Sequence, residues 1–479
     1  MMAHPNYIGG NWVTGEAVEN INPSDTCEVV GLYAGGSALD VASAVDSART
    51  AFAAWSTSVP QTRGTILARV SAEIGARSEE LSTLLAREEG KTLVDARGEI
   101  GRAADIFAFF SAECVRLTGE TLASTRPGVG VDVTREPVGV IGLITPWNFP
   151  MAIPAWKIAP ALAYGNCVIL KPAEIASACA WELTKILSDC GLPAGVFNLV
   201  MGKGKIVGEA LVNHPGIDAI SFTGSVDTGR SIALACISSN PMKKIQLEMG
   251  GKNPLVVLDD ADLDQAVSVA LNGAFFQTGQ RCTASSRLIV TEGIHDQFVA
   301  ALTSAMAKLQ IGHALDPTSQ IGPVADARQL ETDLRYIALG QSEGARLAFG
   351  GMLLNRPTPG HYLQPALFTE TTPEMAIARE EIFGPIACII RVRDYDHALA
   401  VANDTPFGLS SGICTTSLKH ATHYRRHAQA GMVMVNLPTA GVDFHVPFGG
   451  RKASSYGARE QGRYAQEFFT TVKTAYSFA

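Results

Sequence analysis

Three residue types in this 479-residue chain stand where covalent chemistry needs them. Cys282, in Gly279-Gln-Arg-Cys282-Thr283, follows an apolar segment ending at Phe275-Phe276. A cysteine is by default a small hydrophobe, and most of the other eight read that way. Cys282 differs because Arg281 beside it is a fixed positive charge that could lower a thiol pKa from about 8.5 and make a nucleophile. Glu248, in Leu247-Glu-Met-Gly-Gly-Lys252, puts a carboxylate at the end of an apolar run, just before two glycines. Burial there would raise its pKa and suit it to act as a base, although an acid at a strand end is the commoner reading. Asn148, in Pro146-Trp-Asn-Phe-Pro150, is an amide held between rigid neighbours. That suits an oxyanion donor, and it suits an ordinary loop equally.

Other strings suit a nucleotide. Phe222-Thr-Gly-Ser225, with Gly229 beyond it, follows a predicted strand and opens a predicted helix. Glycine there lets backbone N–H groups approach a phosphate, and Ser225 adds a hydroxyl. The string is not G-x-G-x-x-G and has no Walker lysine, so an ordinary turn weighs evenly against it. Lys171-Pro-Ala-Glu174 lies at the carboxyl end of an apolar run, where α/β sheets bind ligands. Its two charges could share the hydroxyls of a ribose or form a surface ion pair. Gly202-Lys-Gly-Lys205 reads as a solvated loop. Gly408-Leu-Ser-Ser-Gly412 matches the nucleophile-elbow string of serine hydrolases, but strand-like Ile413-Cys414 follows where an elbow needs a helix. His420, His423 and His427 share a helical face with Arg425 and Arg426 between them, which marks a solvated basic helix; no metal site is expected.

The elements that must position these residues follow from pattern. Lys+Arg 38 against Asp+Glu 46 leaves a net charge of −8, which favours neither nucleic acid nor an anionic membrane as partner. With 47% hydrophobic and 18% charged residues the chain has ample core for about three domains or lobes. Nine cysteines with no Cys-x-x-Cys pair argue against disulfides or structural zinc and for a reducing cytoplasm. The start lacks a signal-peptide pattern, and Pro146, Pro150 and Pro154 break the uncharged stretch 137–156 as a membrane span. Helical spacing covers 39–54 and 63–89, with Gly90 as a stop. From 138 onward, apolar runs at 138–144, 167–170, 196–200 and 219–222 alternate with helices, and a second series runs from 255 to 435. That rhythm predicts an α/β fold with parallel sheets covered on both faces. The β-prone tail 468–476 has no partner nearby in sequence and is a candidate for pairing across a subunit interface.

Taken together the strings resemble the aldehyde dehydrogenase superfamily. The likeness runs from Ile8-Gly-Gly-Asn-Trp12 to the tail, through the motifs above plus Glu381-Ile-Phe-Gly-Pro385 and Pro447-Phe-Gly-Gly450, in family order. It implies a Rossmann-like cofactor domain at 1–117 and 139–248, a catalytic domain at 249–447, and a β oligomerisation arm from 118–138 and 448–479, in a homodimer or homotetramer. It implies that Cys282 attacks an aldehyde, that Asn148 and the Cys282 N–H hold the oxyanion, and that Glu248 activates the water that hydrolyses a thioester. Glu248 also argues against the coenzyme A-acylating branch. Thr145, Trp147, Lys171, Glu174, Gly224, Ser225, Glu381 and Phe383 would hold the cofactor. Glu174 favours NAD, with NADP still open, because a carboxylate repels a 2′-phosphate. By family position Phe149, Ile153, Trp156, Arg281, Thr283, Val442 and Phe448 would line the aldehyde tunnel. The segments 436–451 and 455–462 resemble members that oxidise 2-oxoglutarate semialdehyde, with succinate semialdehyde or an aromatic aldehyde as alternatives. Arg281 or His445 would then meet a substrate carboxylate. A non-catalytic relative should lack the thiol or the base, and both are present.

Overall fold

The structure, a computed structural model, describes residues 2–478. Two large sheets carry the molecule. The first runs in the order Ser455–Tyr456, Lys244–Glu248, Ala219–Thr223, Val140–Ile144, Cys167–Lys171, Phe197–Leu199, Asn6–Ile8, Asn11–Val13. Its five strands from 244–248 to 197–199 are parallel. Strands 140–144 and 167–171 are apolar along almost their whole length, because helices cover both faces and no position looks at water. After Val140–Ile144 the chain lays two strands outward on one side, then returns to lay 219–223 and 244–248 on the other. The order therefore reverses between 140–144 and 219–223, and a crevice opens beyond their carboxyl ends, where such sheets take ligands.

The second sheet has the order Arg346–Phe349, Ala366–Thr369, Ile386–Val392, Ser285–Thr291, Asn253–Val257, Ser410–Cys414, Met432–Val435, parallel except for its first pair. The expected α/β class is what the chain adopts. One expectation needs correction. The segment 63–89 is two helices, Pro60–Ala76 and Ser78–Glu89, broken at Arg77; Gly90, in left-handed conformation at φ 92°, does end the second. The tail strand Thr470–Phe478 finds a partner far away in its own chain, antiparallel to Val129–Pro137, which pairs in turn with Glu120–Ala123, and it stands at the edge of that sheet. Contacts more than three hundred residues apart escape any local reading. Among the described residues no helix is long and apolar enough to cross a membrane.

Candidate active site

Glu248 ends the strand Lys244–Glu248, and its carbonyl accepts from the Gly224 N–H at 3.1 Å. That bond ties the carboxylate to the turn where Ser225 caps the helix Val226–Ser238. The free N–H groups of that first turn give Gly224 and Ser225 the positive end a phosphate requires. A Cβ on Gly250 would lie 1.8 Å from Glu381 Oε2, so only glycine lets the two acidic segments approach. Gly251 N–H then donates to Glu381 Oε1 at 2.8 Å.

Cys282 lies on the turn leading into Ser285–Thr291. Gln277, Thr278 and Gly279 before it all have positive φ, 54°, 57° and 64°. For the two non-glycine residues this costs about 1–3 kcal/mol each, and such strain persists where surrounding structure imposes it. Here the second sheet imposes it: Asn253 Nδ2 clamps the carbonyls of Cys282 and Ala284 at 2.8 and 2.9 Å. The Cys282 side chain packs against the cluster Leu409, Met432 and Phe448, as do Met434 and Val442.

Asn148 meets this turn from the first sheet, its Nδ2 donating to Gln280 O at 2.9 Å. An amide has two N–H bonds, so one remains to donate to a substrate oxygen. Two residues that sequence reading missed hold it there. Buried Lys91 donates to Asn148 O at 2.7 Å and to Glu99 Oε2 at 2.6 Å, with its ammonium 4.3 Å from the centre of the Phe149 ring. Glu99 Oε1 accepts from the N–H groups of Met151 and Ala152, fixing the start of the helix Ala152–Ala163. Asn148→Ala is expected to lower kcat/KM by about 10²–10³. Initial rates would check this, and a loss below tenfold would remove the amide from oxyanion binding.

Electrostatics corrects one expectation outright. Burial, then Glu381, Glu248 and Glu460, push the Cys282 thiol up to about 12. Arg281 does not offset this, because its guanidinium turns away to the carbonyls of Asn272 and Gly273 (3.1 Å to the latter) at the end of the helix Leu263–Phe275. The thiol is therefore protonated at rest. Burial and the charge of Glu460 also hold Glu248 well above the usual carboxylate range, against the Ser455 hydroxyl bond at 2.6 Å. Glu460 is itself paired with buried Lys157, which donates to Ser221 Oγ at 2.8 Å. Glu381 is raised to about 7 by burial, opposed by Gly251 N–H and Lys252.

The expected cofactor residues stand at or just beyond the carboxyl ends of the first sheet's strands, with Glu381 and Phe383 on a segment of the second. Thr145 follows Val140–Ile144, and its buried hydroxyl has no partner; the same holds for Thr223, on the other lip. Two orphaned hydroxyls flanking the crevice are what a bound polar ligand would satisfy. Trp147 meets Phe383 edge-on, ring centres 5.5 Å apart, and Phe383 itself has φ 67°. At the other end Glu174 is exposed and accepts from Gly204 N–H at 3.0 Å; the loop 202–205 is solvated as expected, and Gly202 and Lys203 border a cleft with Glu174. Lys171 is buried beside it. These residues fit a dinucleotide with two free ribose hydroxyls.

Of the expected tunnel residues, Phe149, Ile153, Trp156, Val442 and Phe448 gather on the Cys282 side, with Trp156 and Phe448 rings 5.5 Å apart. Thr283 is buried, and its carbonyl accepts from the Thr439 hydroxyl. His445 is exposed. Ser410 is buried at the start of the strand Ser410–Cys414, donating to Thr439 O at 2.9 Å, and a strand rather than a helix follows it, which removes the nucleophile elbow. His423 bonds the Tyr395 hydroxyl on the surface helix Leu418–His427.

A crevice that fits a dinucleotide and a half-buried thiol on the turn that Asn148 meets are two halves of a machine for oxidising a carbonyl carbon. Residues 12–475 match the aldehyde dehydrogenase family, and the chain belongs to that family. It is an NAD(P)-dependent enzyme that oxidises an aldehyde to an acid. The chain is 43% identical over 477 residues to the alpha-ketoglutaric semialdehyde dehydrogenase of Bacillus subtilis (strain 168), covering 98% of this chain and 97% of that one. It is 42% identical to the alpha-ketoglutarate semialdehyde dehydrogenase of Haloferax volcanii, covering 98% of each. Among solved structures, the betaine aldehyde dehydrogenase of Staphylococcus aureus in complex with NAD+ superposes with TM-score 0.96 at 32% identity, covering 100% of this chain and 95% of that one.

Proposed function

We propose that this enzyme oxidises 2-oxoglutarate semialdehyde to 2-oxoglutarate with NAD as acceptor. The observation that carries the mechanism is the convergence of Cys282 and Asn148 on one turn, with the charge of Glu248 felt at the thiol. The substrate assignment is supported by likeness to three relatives named for that semialdehyde, at 43%, 42% and 38% identity.

The chain's own groups supply each remaining step. Cys282 attacks the aldehyde carbon as its thiolate, the thiol proton having passed to solvent. The free Asn148 N–H and the Cys282 N–H hold the oxyanion of the thiohemiacetal. A bound nicotinamide ring would supply the hydride acceptor for the former aldehyde carbon. That leaves a thioester on Cys282. Glu248, its basicity raised by burial, draws a proton from water, whose oxygen displaces the sulfur and releases the acid. Hydrolysis needs no coenzyme A, in keeping with the presence of Glu248.

Lys171 and Glu174 hold the adenosine ribose in this reading, Ser225 and Gly224 the pyrophosphate, Glu381 the nicotinamide ribose, and Thr145, Trp147 and Phe383 the ring. Exposed Glu174 supports NAD over NADP. Segments 1–117 and 139–248 act as the cofactor domain, 249–447 as the catalytic domain, and 118–138 with 448–479 as an arm joining subunits of a homodimer or homotetramer. Exposed Val472, Tyr476 and Phe478 on the arm support that joining. Nine free cysteines support a reducing, cytoplasmic location.

The test is the rate of NADH formation with 2-oxoglutarate semialdehyde, succinate semialdehyde, pentanal and benzaldehyde, with NADP in parallel. The 2-oxo substrate is expected to exceed pentanal and benzaldehyde at least about tenfold in kcat/KM, about 1.4 kcal/mol of discrimination. Equal or better rates with benzaldehyde would keep the dehydrogenase and discard the substrate.

A further inference from the structure

Three buried N–H donors on the Cys282 side of the first sheet have no acceptor: Arg102 Nε, Gln461 Nε2 and Trp156 Nε1. Their side chains touch one another although the residues are far apart in sequence. Arg102 donates through its other nitrogen to Gln461 Oε1 at 2.9 Å, which orients the amide so that its NH₂ is the unpaired end. The guanidinium lies over the Trp156 ring, 5.6 Å from its centre. Trp156 in turn packs on Phe448, which belongs to the small apolar cluster that Cys282 packs against.

Buried donors without acceptors are rare, and each calls for an explanation; three in contact, one of them charged, call for an anion. Arg102 forms no ion pair with any described residue. Asp443, Glu99 and Cys282 are near enough to act on its charge without pairing with it, and burial lowers its pKa. Gln461 is held in place by an unusual backbone, φ 61°, and is 1% exposed. Arg281, the arginine adjacent to the nucleophile, is spent on the helix end.

We propose that Arg102, Gln461 and Trp156 form the subsite that binds the carboxylate of the aldehyde substrate, with Arg102 as the residue that selects acidic semialdehydes over neutral ones. A guanidinium fork and two further N–H donors match the acceptors of a carboxylate and an adjacent oxo oxygen. The proposal deepens the substrate reading above and rests on it.

Arg102→Met and Gln461→Glu, the second placing an internal carboxylate beside the guanidinium, separate the possibilities. Wild type and both variants would be assayed with 2-oxoglutarate semialdehyde and pentanal, with glutarate as an inhibitor. Arg102→Met is expected to lower kcat/KM for the acidic substrate by about 30-fold or more, mainly through KM, and to weaken glutarate inhibition in parallel. Pentanal turnover should stay within about threefold, which also reports a folded protein. Gln461→Glu should show the same selective loss if Arg102→Met fails to fold. Arg102→Lys, keeping charge without the fork, should fall between. If wild type prefers the acidic substrate but the two main variants lose both aldehydes equally, or neither, the subsite is wrong and the substrate reading stands. If wild type prefers pentanal, both fall.

Discussion

Replacing Cys282 by alanine is expected to lower kcat by at least about 10⁴, with the thermal midpoint close to that of the wild type. The carbonyl contacts that clamp the turn run through backbone, so they survive loss of the sulfur. Steady-state rates and calorimetry would check both halves. The pH dependence has a fixed sign. Burial and three carboxylates raise the thiol to about 12, so the thiolate fraction grows with pH throughout the neutral range. Alkylation of Cys282 by iodoacetamide, read as the difference between wild type and Cys282→Ala to remove exposed Cys27, should speed up about tenfold per pH unit between pH 7 and 9. A rate that levels off below pH 8 would mean that a cation lowers the thiol after all.

Glu248→Gln separates the two halves of the chemistry. Hydride leaves before water attacks, so the variant should still form NADH in a burst of about one per active site and then turn over about 10²–10⁴ more slowly. Glutamine is nearly isosteric, and its oxygen can keep the Ser455 bond. Added hydroxylamine should raise the slow rate by cleaving the thioester. In the wild type the base form of Glu248 exists only above its raised pKa, so hydrolysis should climb with pH through that value. The limb should vanish in the variant. Rapid-mixing absorbance at several pH values reads all of this, and a variant with neither burst nor hydroxylamine response would assign Glu248 to the first step instead.

The catalytic candidates were legible because each sits where local sequence announces an element end. Glu248 closes an apolar run before two glycines, Asn148 lies between prolines after another, and Ser225 stands between a strand and a helix; strand ends of a parallel sheet are where such a fold presents side chains. The alternation of apolar runs and helices announced the α/β class for the same reason, since full burial erases polar positions. Adjacency misled where the direction of a side chain mattered. Arg281 is next to Cys282 in sequence, yet four unsatisfied carbonyls at the end of Leu263–Phe275 draw its charge away.

By itself, then, the sequence determined which residue types stand at the strand ends, and so the class of chemistry. The tertiary structure alone decided the protonation of Cys282, the partner of the tail strand, the Lys91–Glu99 brace under Asn148, and the meeting of Arg102 with Trp156 and Gln461. Each depends on packing between segments tens to hundreds of residues apart. Burial and Coulomb terms arise from what surrounds a group in space, and periodicity along the chain carries no record of that.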